Sequence, residues 1–129
     1  KTLLKQGHLN PDYTRYELHR VWEVVATLKN GQRHIYAKRH FFIDEDTWTI
    51  AVADHYDGRG NLWRVGEAHL QYFYDVKATY QTPEVIYDLL AGRYVVTGLI
   101  NERPNAYDFS FTSKKSDYTP SALRNMGIR

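Results

Sequence analysis

The dipeptide Asn30-Gly31 constrains the fold more than any other feature of the chain. Both residue types accept positive φ, so the pair favours a two-residue type I′ turn between antiparallel strands. In the run before it, YELHRVWEVVATL, one parity carries Leu18, Arg20, Trp22, Val24, Ala26 and Leu28 and the other Glu17, His19, Val21, Glu23, Val25 and Thr27. A helix burying Leu18, Val21, Trp22, Val25 and Leu28 also fits this run. The turn, and the strand-forming run RHIYAKRHFFI after it, decide for a hairpin. With Lys29 opposite Gln32, Trp22 meets Arg39, Val24 meets Ala37 and Arg20 meets Phe41. Apolar parity then faces apolar parity, which a one-residue slip would destroy.

Further reversals extend the pattern. IDEDTW, centred on Glu45-Asp46, sets Ile43 opposite Trp48. The stretch Asp57 to Asn61 turns the chain again and sets Tyr56 opposite Leu62. VIYDLLAGRYVV reads as a hairpin around Ala91-Gly92. A helix from Thr82-Pro83-Glu84 to Gly92 is the rival there, but Val85, Tyr87 and Leu89 alternate as in a strand. Thr119-Pro120 reads as a helix start, with Pro at the first helical position, over about 119–126. A short helix is expected near Thr2–Lys5. The expected fold is thus mainly β, a curved antiparallel meander with a short C-terminal helix. The 11 tyrosines favour strands further. A chain of 129 residues fits a single domain.

Carried across three hairpins, these registers gather one apolar face that includes Trp22, Val24, Phe41, Ile43, Trp48, Val52 and Leu62. Four charged residues fall on it: Arg20, Arg39, Asp54 and Arg64. Asp54 lies opposite Arg64, and Arg39 lies diagonal to Asp54 with Trp22 beside it as a cation–π partner. Charges on an apolar face must be paired, hydrated or used. Two readings stay open: an internal salt bridge that fixes the sheet, or a cationic patch that receives an anionic head group. A single β-bulge would move Arg64 to the other face. The candidate ligand-binding residues are Arg39, Asp54, Arg64, Arg20, Trp22 and Trp48.

The stretch DHYDGRGNLWR looks like an acid–base site, but consecutive strand residues face opposite ways. Asp54 and His55 therefore cannot form a dyad; His55 faces Trp63 and lies across from Tyr36, and Asp57 serves the turn. Five of the six histidines fall away from the apolar face, and none has the spacing of H-E-x-x-H. No G-x-S-x-G, P-loop or G-x-G-x-x-G is present. The absence of cysteine excludes disulfides, thiolate metal sites and a Cys nucleophile. No catalytic residue, metal or cofactor is expected. A net charge of +2, with basic residues spread along the chain, argues against nucleic acid. No apolar run approaches the roughly 18 residues of a membrane helix, and no signal-peptide pattern is seen. The chain starts at Lys1, as expected of a processed protein or a cut-out domain.

The runs RYELHRVWEVVATLK, KRHFFIDEDTW, ADHYDGRGNLWRVGEAHL, YDLLAGRYVV and YTPSALRNMG together resemble a proteobacterial family of unknown function, often described as outer-membrane lipoprotein-sorting proteins. The resemblance covers about residues 8–129 and fits the C-terminal part of longer, exported members. It implies a fold like the lipoprotein carriers LolA and LolB, in which a curved antiparallel sheet wraps an apolar cavity. It also implies a periplasmic or outer-membrane location and an exporter or outer-membrane component as partner. The leading expectation is a non-enzymatic module that binds a lipid or other hydrophobic molecule on its apolar face. The alternative is an interaction domain that packs on an N-terminal part or on a second copy as a homodimer. An enzyme built on the Asp and His residues has the least support.

Overall fold

A computed structural model describes residues 2–100, 102–104 and 106–127. Six strands follow one another: β1 (Val21–Thr27), β2 (Lys38–Asp44), β3 (Ile50–Tyr56), β4 (Leu62–Phe73), β5 (Ala78–Asp88) and β6 (Arg93–Thr97). They form one antiparallel sheet in sequence order. The sheet is an open meander, with β1 and β6 as its outer strands. A 3-10 turn (Lys115–Tyr118) leads into a single helix, α1 (Pro120–Met126). The Thr119 hydroxyl accepts from the Ala122 N–H at 3.2 Å, and Pro120 opens the helix, as the sequence signals. Residues 82–88 are strand, not helix. The helix expected near Thr2–Lys5 does not form; Leu4 instead bridges to Leu9 around Gly7.

The turn at Asn30-Gly31 exists, since the Gln32 N–H donates to the Lys29 carbonyl at 3.1 Å. It is not the predicted type I′ turn. Gly31 takes a φ of 78° and Asn30 does not take a positive φ. That is the pattern of a type II turn, whose twist splays strands instead of zipping them. The strands therefore join only below it, where the Leu28 N–H donates to the Ala37 carbonyl at 2.9 Å. Trp22 pairs with Ile43, Val24 with Phe41 and Ala26 with Arg39, replacing the predicted Trp22–Arg39 and Arg20–Phe41 pairs. Between the predicted and observed registers each residue's partner moves by four positions, an even number, so which residues of β1 and β2 share a face is unchanged.

The β2–β3 turn changes more. Trp48 adopts a φ of 57° in a bend two residues longer than predicted, so Ile43 pairs with Ile50 and not with Trp48. Beyond a further register shift, Phe41 pairs with Ala53 and Arg39 with His55. From Val52 onward the β3 side chains therefore lie on the face opposite to the predicted one, while Ile50 keeps its predicted face beside Ile43. A second bulge, between His55 and Tyr56, lets Tyr56 meet Leu62 as expected but sets His55 opposite Arg64. The chain also turns between Phe73 and Ala78, a hairpin with no Gly, Pro or Asn to announce it; Lys77 supplies the positive φ. The last hairpin is one position off, with Asp88 paired to Arg93.

The N-terminal segment crosses one face of the sheet. Leu9 is buried there, the Tyr94 hydroxyl donates to the Lys5 carbonyl at 2.8 Å, and Val85 beneath is fully buried. The N-terminal segment does not cross the other, uncovered face, where Tyr36 of the β1–β2 connection stacks on His55 while the outer strands stay open. Trp22 and Val95 are each 52% exposed on it.

Candidate functional site: the two faces of the sheet

The uncovered face has two parallel cross-strand rows. One runs Ala26, Arg39, His55, Arg64, Asp88, Arg93. The next runs Val24, Phe41, Ala53, Gly66, Ile86, Val95. Ala53 and Gly66, at the centre of the apolar row between Phe41 and Ile86, carry little side chain and so leave a shallow trough beside a row that holds Arg39, Arg64 and Arg93 with His55 and Asp88 among them. A Cβ built on Gly66 would meet only the Ala53 Cβ and carbonyl oxygen, both at 3.9 Å. Gly66 is thus not required by the backbone and keeps the trough open.

The charged row is held by aromatic stacking. The Tyr36 ring stacks on His55 at 4.5 Å and meets Trp63 edge-on at 5.8 Å. The Arg64 guanidinium lies over Trp63 at 4.4 Å and donates to the Tyr36 hydroxyl at 2.9 Å. Asp88 anchors the cluster by accepting from Arg64 Nε, Trp63 Nε1 and the Ala91 N–H. Burial, and then the Arg39 charge, push His55 below the usual histidine range. Its Nδ1 is buried with no hydrogen-bond partner among the described residues. Arg39 makes no ion pair among those residues, and its guanidinium lies 5.6 Å from the Phe41 ring centre. A small pocket of about 300 Å³ adjoins it, lined in part by Lys29, Arg33, His34 and Arg39.

The opposite face carries carboxylates and histidines. His40 Nδ1 lies 3.1 Å from Glu23, His19 Nδ1 lies 3.0 Å from Asp44, and His69 Nε2 lies 3.9 Å from Glu67. The hydrogen bond to Asp44 raises His19 above the usual histidine range, and Asp44 is held low chiefly by the Thr47 hydroxyl. His19, Asp44 and Asp46 form the one group among the described residues whose ligand atoms, within 4.8 Å of one another, could approach a cation. Asp44 is already engaged as the cap of its turn, accepting from Thr47 N and Oγ1. Between this face and the N-terminal segment lies a groove of about 650 Å³.

Three of the predicted site residues, Arg39, Arg64 and Trp22, do share the uncovered face. The predicted Arg39–Asp54–Arg64 cluster does not form. Asp54 pairs with His40 and Val65 on the carboxylate face, and Asp88 replaces it as the partner of Arg64. Trp22 stands opposite Ile43, away from Arg39, so that cation–π pair is absent; Phe41 and Trp63 carry the arginine contacts instead. Arg20 pairs with Glu45 at 2.9 Å at the surface, and Trp48 is a turn residue, 72% exposed. The separation of Asp54 from His55 holds, as does the approach of His55 to Tyr36. Asp57 serves its turn as expected, accepting from the Arg59 and Asn61 N–H groups. Asp88, Tyr36 and Trp63 entered no predicted site. A rule that gives a buried arginine the nearest carboxylate on a paired strand would have found Asp88, given the β4–β5 register.

The fold is similar over part of its length to two solved structures. A domain from Vibrio parahaemolyticus named for outer membrane lipoprotein sorting matches 81% of this chain and 42% of its own, with a TM-score of 0.53 at 13% identity. A DUF1329 family protein from Desulfovibrio piger matches 59% of this chain and 31% of its own, with a TM-score of 0.51 at 18% identity. At such identities the likeness is one of fold. The family follows from sequence: residues 1–124 match the model of the protein family of unknown function DUF1329, and the chain belongs to that family. An uncharacterized protein of Pseudomonas aeruginosa is 61% identical over 127 residues. The match covers 98% of this chain and 28% of that protein's length.

Proposed function

We propose that this chain is a non-enzymatic module of the periplasm or outer membrane that binds a lipid or other hydrophobic molecule along the uncovered face. The observation that carries this reading is the apolar trough from Val24 to Val95 beside the row of Arg39, His55 and Arg64. An acyl chain laid along the trough would bury apolar area at roughly 25 cal/mol per Å² before the costs of association. Arg39, which has no carboxylate partner among the described residues, would orient an acidic head, with Arg33 and Lys29 close by. Arg64 is neutralised by Asp88 and supports the wall. Trp22 would flank the chain. A shared fold with a domain named for lipoprotein sorting supports a role in lipid or lipoprotein traffic, with an outer-membrane component or exporter as partner.

Titration with a fatty acid and its methyl ester, read by calorimetry, tests this reading. Arg39→Ala is expected to weaken the acid about tenfold and to leave the ester unchanged. An equal loss for both would make Arg39 structural. A lipid co-purifying with the protein from its own host, seen by native mass spectrometry, would identify the class of ligand.

The exposure of Trp22, Val24 and Val95 supports a second reading, since the chain spans little more than a quarter of its Pseudomonas relative. On that reading the face packs on another part of a longer protein or on a second copy. Sedimentation showing a concentration-dependent dimer that binds no lipid would favour it.

A further inference from the structure

The groove on the carboxylate face has a chemistry of its own. Its floor is apolar, with Phe42, Val52 and Leu70 from three strands, and Leu9 and Tyr16 of the N-terminal segment form part of its wall. At about 650 Å³ it is the size of a small-molecule site, in which apolar walls and a few convergent polar atoms divide affinity from orientation. Three such atoms meet at one place. Glu67 is partly buried, with a side chain 23% exposed, accepts from the Tyr16 hydroxyl at 3.3 Å and has the Tyr87 phenol as a second polar neighbour. His69 Nε2 lies 3.9 Å from it, beyond hydrogen-bond reach, and is buried with no partner among the described residues. The Thr14 hydroxyl is also buried and lies close to that of Tyr16, its nearest polar neighbour.

Buried polar atoms are rarely left unpaired, and the one on His69 asks for a donor. The charge decides what kind. No lysine or arginine pairs with Glu67 among the described residues, and Arg15, at the rim, is committed to Glu17 at 3.3 Å. Burial first, and then the Glu67 charge, push the nearby Tyr87 phenol up to about 12, so this negative field reaches past Tyr16. Asp44 adds a second carboxylate along the groove. A fatty acid head would be repelled here. An ammonium offers three N–H donors, one each for Glu67, Thr14 Oγ1 and His69 Nε2.

We propose that this groove is a second ligand site, distinct from the uncovered face, which takes a single-chain apolar molecule ending in a protonated amine, with Glu67 as its counter-charge. The two faces of one sheet would then sort amphiphiles by head-group charge.

Calorimetric titration with dodecylammonium, dodecanol and dodecanoate, below their micelle concentrations, tests the site. Dodecylammonium is expected to bind about tenfold tighter than dodecanol, and Glu67→Gln to remove that advantage while dodecanol binding stays. Leu70→Trp, which fills the apolar floor without touching the polar trio, is expected to abolish binding of both, with an unchanged circular dichroism spectrum as the folding control. Arg39→Ala should leave the ammonium affinity unchanged. Dodecylammonium binding no tighter than dodecanol, or no weaker in Glu67→Gln, would overturn the proposal. If dodecanoate alone binds, in an Arg39-dependent way, the groove proposal fails and the reading of the uncovered face stands. If dodecylammonium alone binds, the reverse holds.

Discussion

Val85 and Val95 lie on neighbouring strands of one sheet, yet Val85 is fully buried and Val95 is 52% exposed. They mark the two faces. On the Val85 face a short N-terminal segment closes over the strands, and hydrogen bonds from the Tyr94 hydroxyl to the Lys5 carbonyl and from the Tyr16 hydroxyl to Glu67 tie it down. The carboxylates of that face are matched mostly by histidines, whose charge depends on pH. On the Val95 face the outer strands stay open, Tyr36 alone stacks on the charged row at His55, and the cations are arginines, which are permanent. Permanent charge can stay on an open wall because water reaches it. The covered face instead uses groups that can shed their charge, at less desolvation cost.

This contrast can be broken by mutation. The largest effect is expected from Val85→Ala, which opens a cavity in the covered face and should cost about 2 kcal/mol in urea unfolding. Val95→Ala should stay within about 0.5 kcal/mol. Equal losses would mean that both faces are packed in solution. Next comes Asp88→Ala, which removes the acceptor shared by Trp63, Arg64 and Ala91. Its melting temperature should fall well below that of Arg39→Ala, which breaks no ion pair. An equal fall would show that Arg39 holds the sheet together.

The pH dependence should differ in sign between the faces. His19 is raised in the folded state, so its contribution is complete below its unfolded value of about 6.5 and is lost as pH rises through the folded value. His55 is depressed, so its contribution is present above about 6.5 and is lost as pH falls through the folded value. His19→Gln should therefore destabilise more at pH 5.5 than at pH 9. His55→Gln should flatten the loss of wild-type stability below neutral pH. Urea midpoints across that range would show both, and the same slope change in both variants would contradict the assignment.

The smallest effect is expected at the β2–β3 turn. Trp48 holds a left-handed conformation that costs a bulky residue roughly 1–2 kcal/mol, and its ring is mostly exposed. Trp48→Gly should raise stability by roughly 0.5 kcal/mol once glycine's extra unfolded entropy is counted. A clear loss would mean that the indole packs on something.

The strand content, the meander order, the terminal helix with its Thr119 cap and the separation of Asp54 from His55 were all legible in the sequence. Each depends on short-range rules: alternation, turn chemistry and capping operate within a few residues. Tertiary structure decided which strand faces the arginines. The bend at Trp48 moved the pairing by two positions, and the irregularity at Phe42–Ile43 and the bulge near Tyr56 each shifted the count by one residue, so Arg39 and Arg64 ended on one face as predicted while His55 took the place of Asp54 between them. A left-handed tryptophan cannot be read from local preference, because it runs against it. The β4–β5 turn at Lys77 has the same character, and without it Asp88 could not be matched to Arg64. Nor does any pattern in residues 2–19 announce that they cover one face and leave the other open. That choice rests on contacts between residues far apart in the chain, such as Tyr94 with Lys5 and Tyr16 with Glu67, which exist only once the sheet is built.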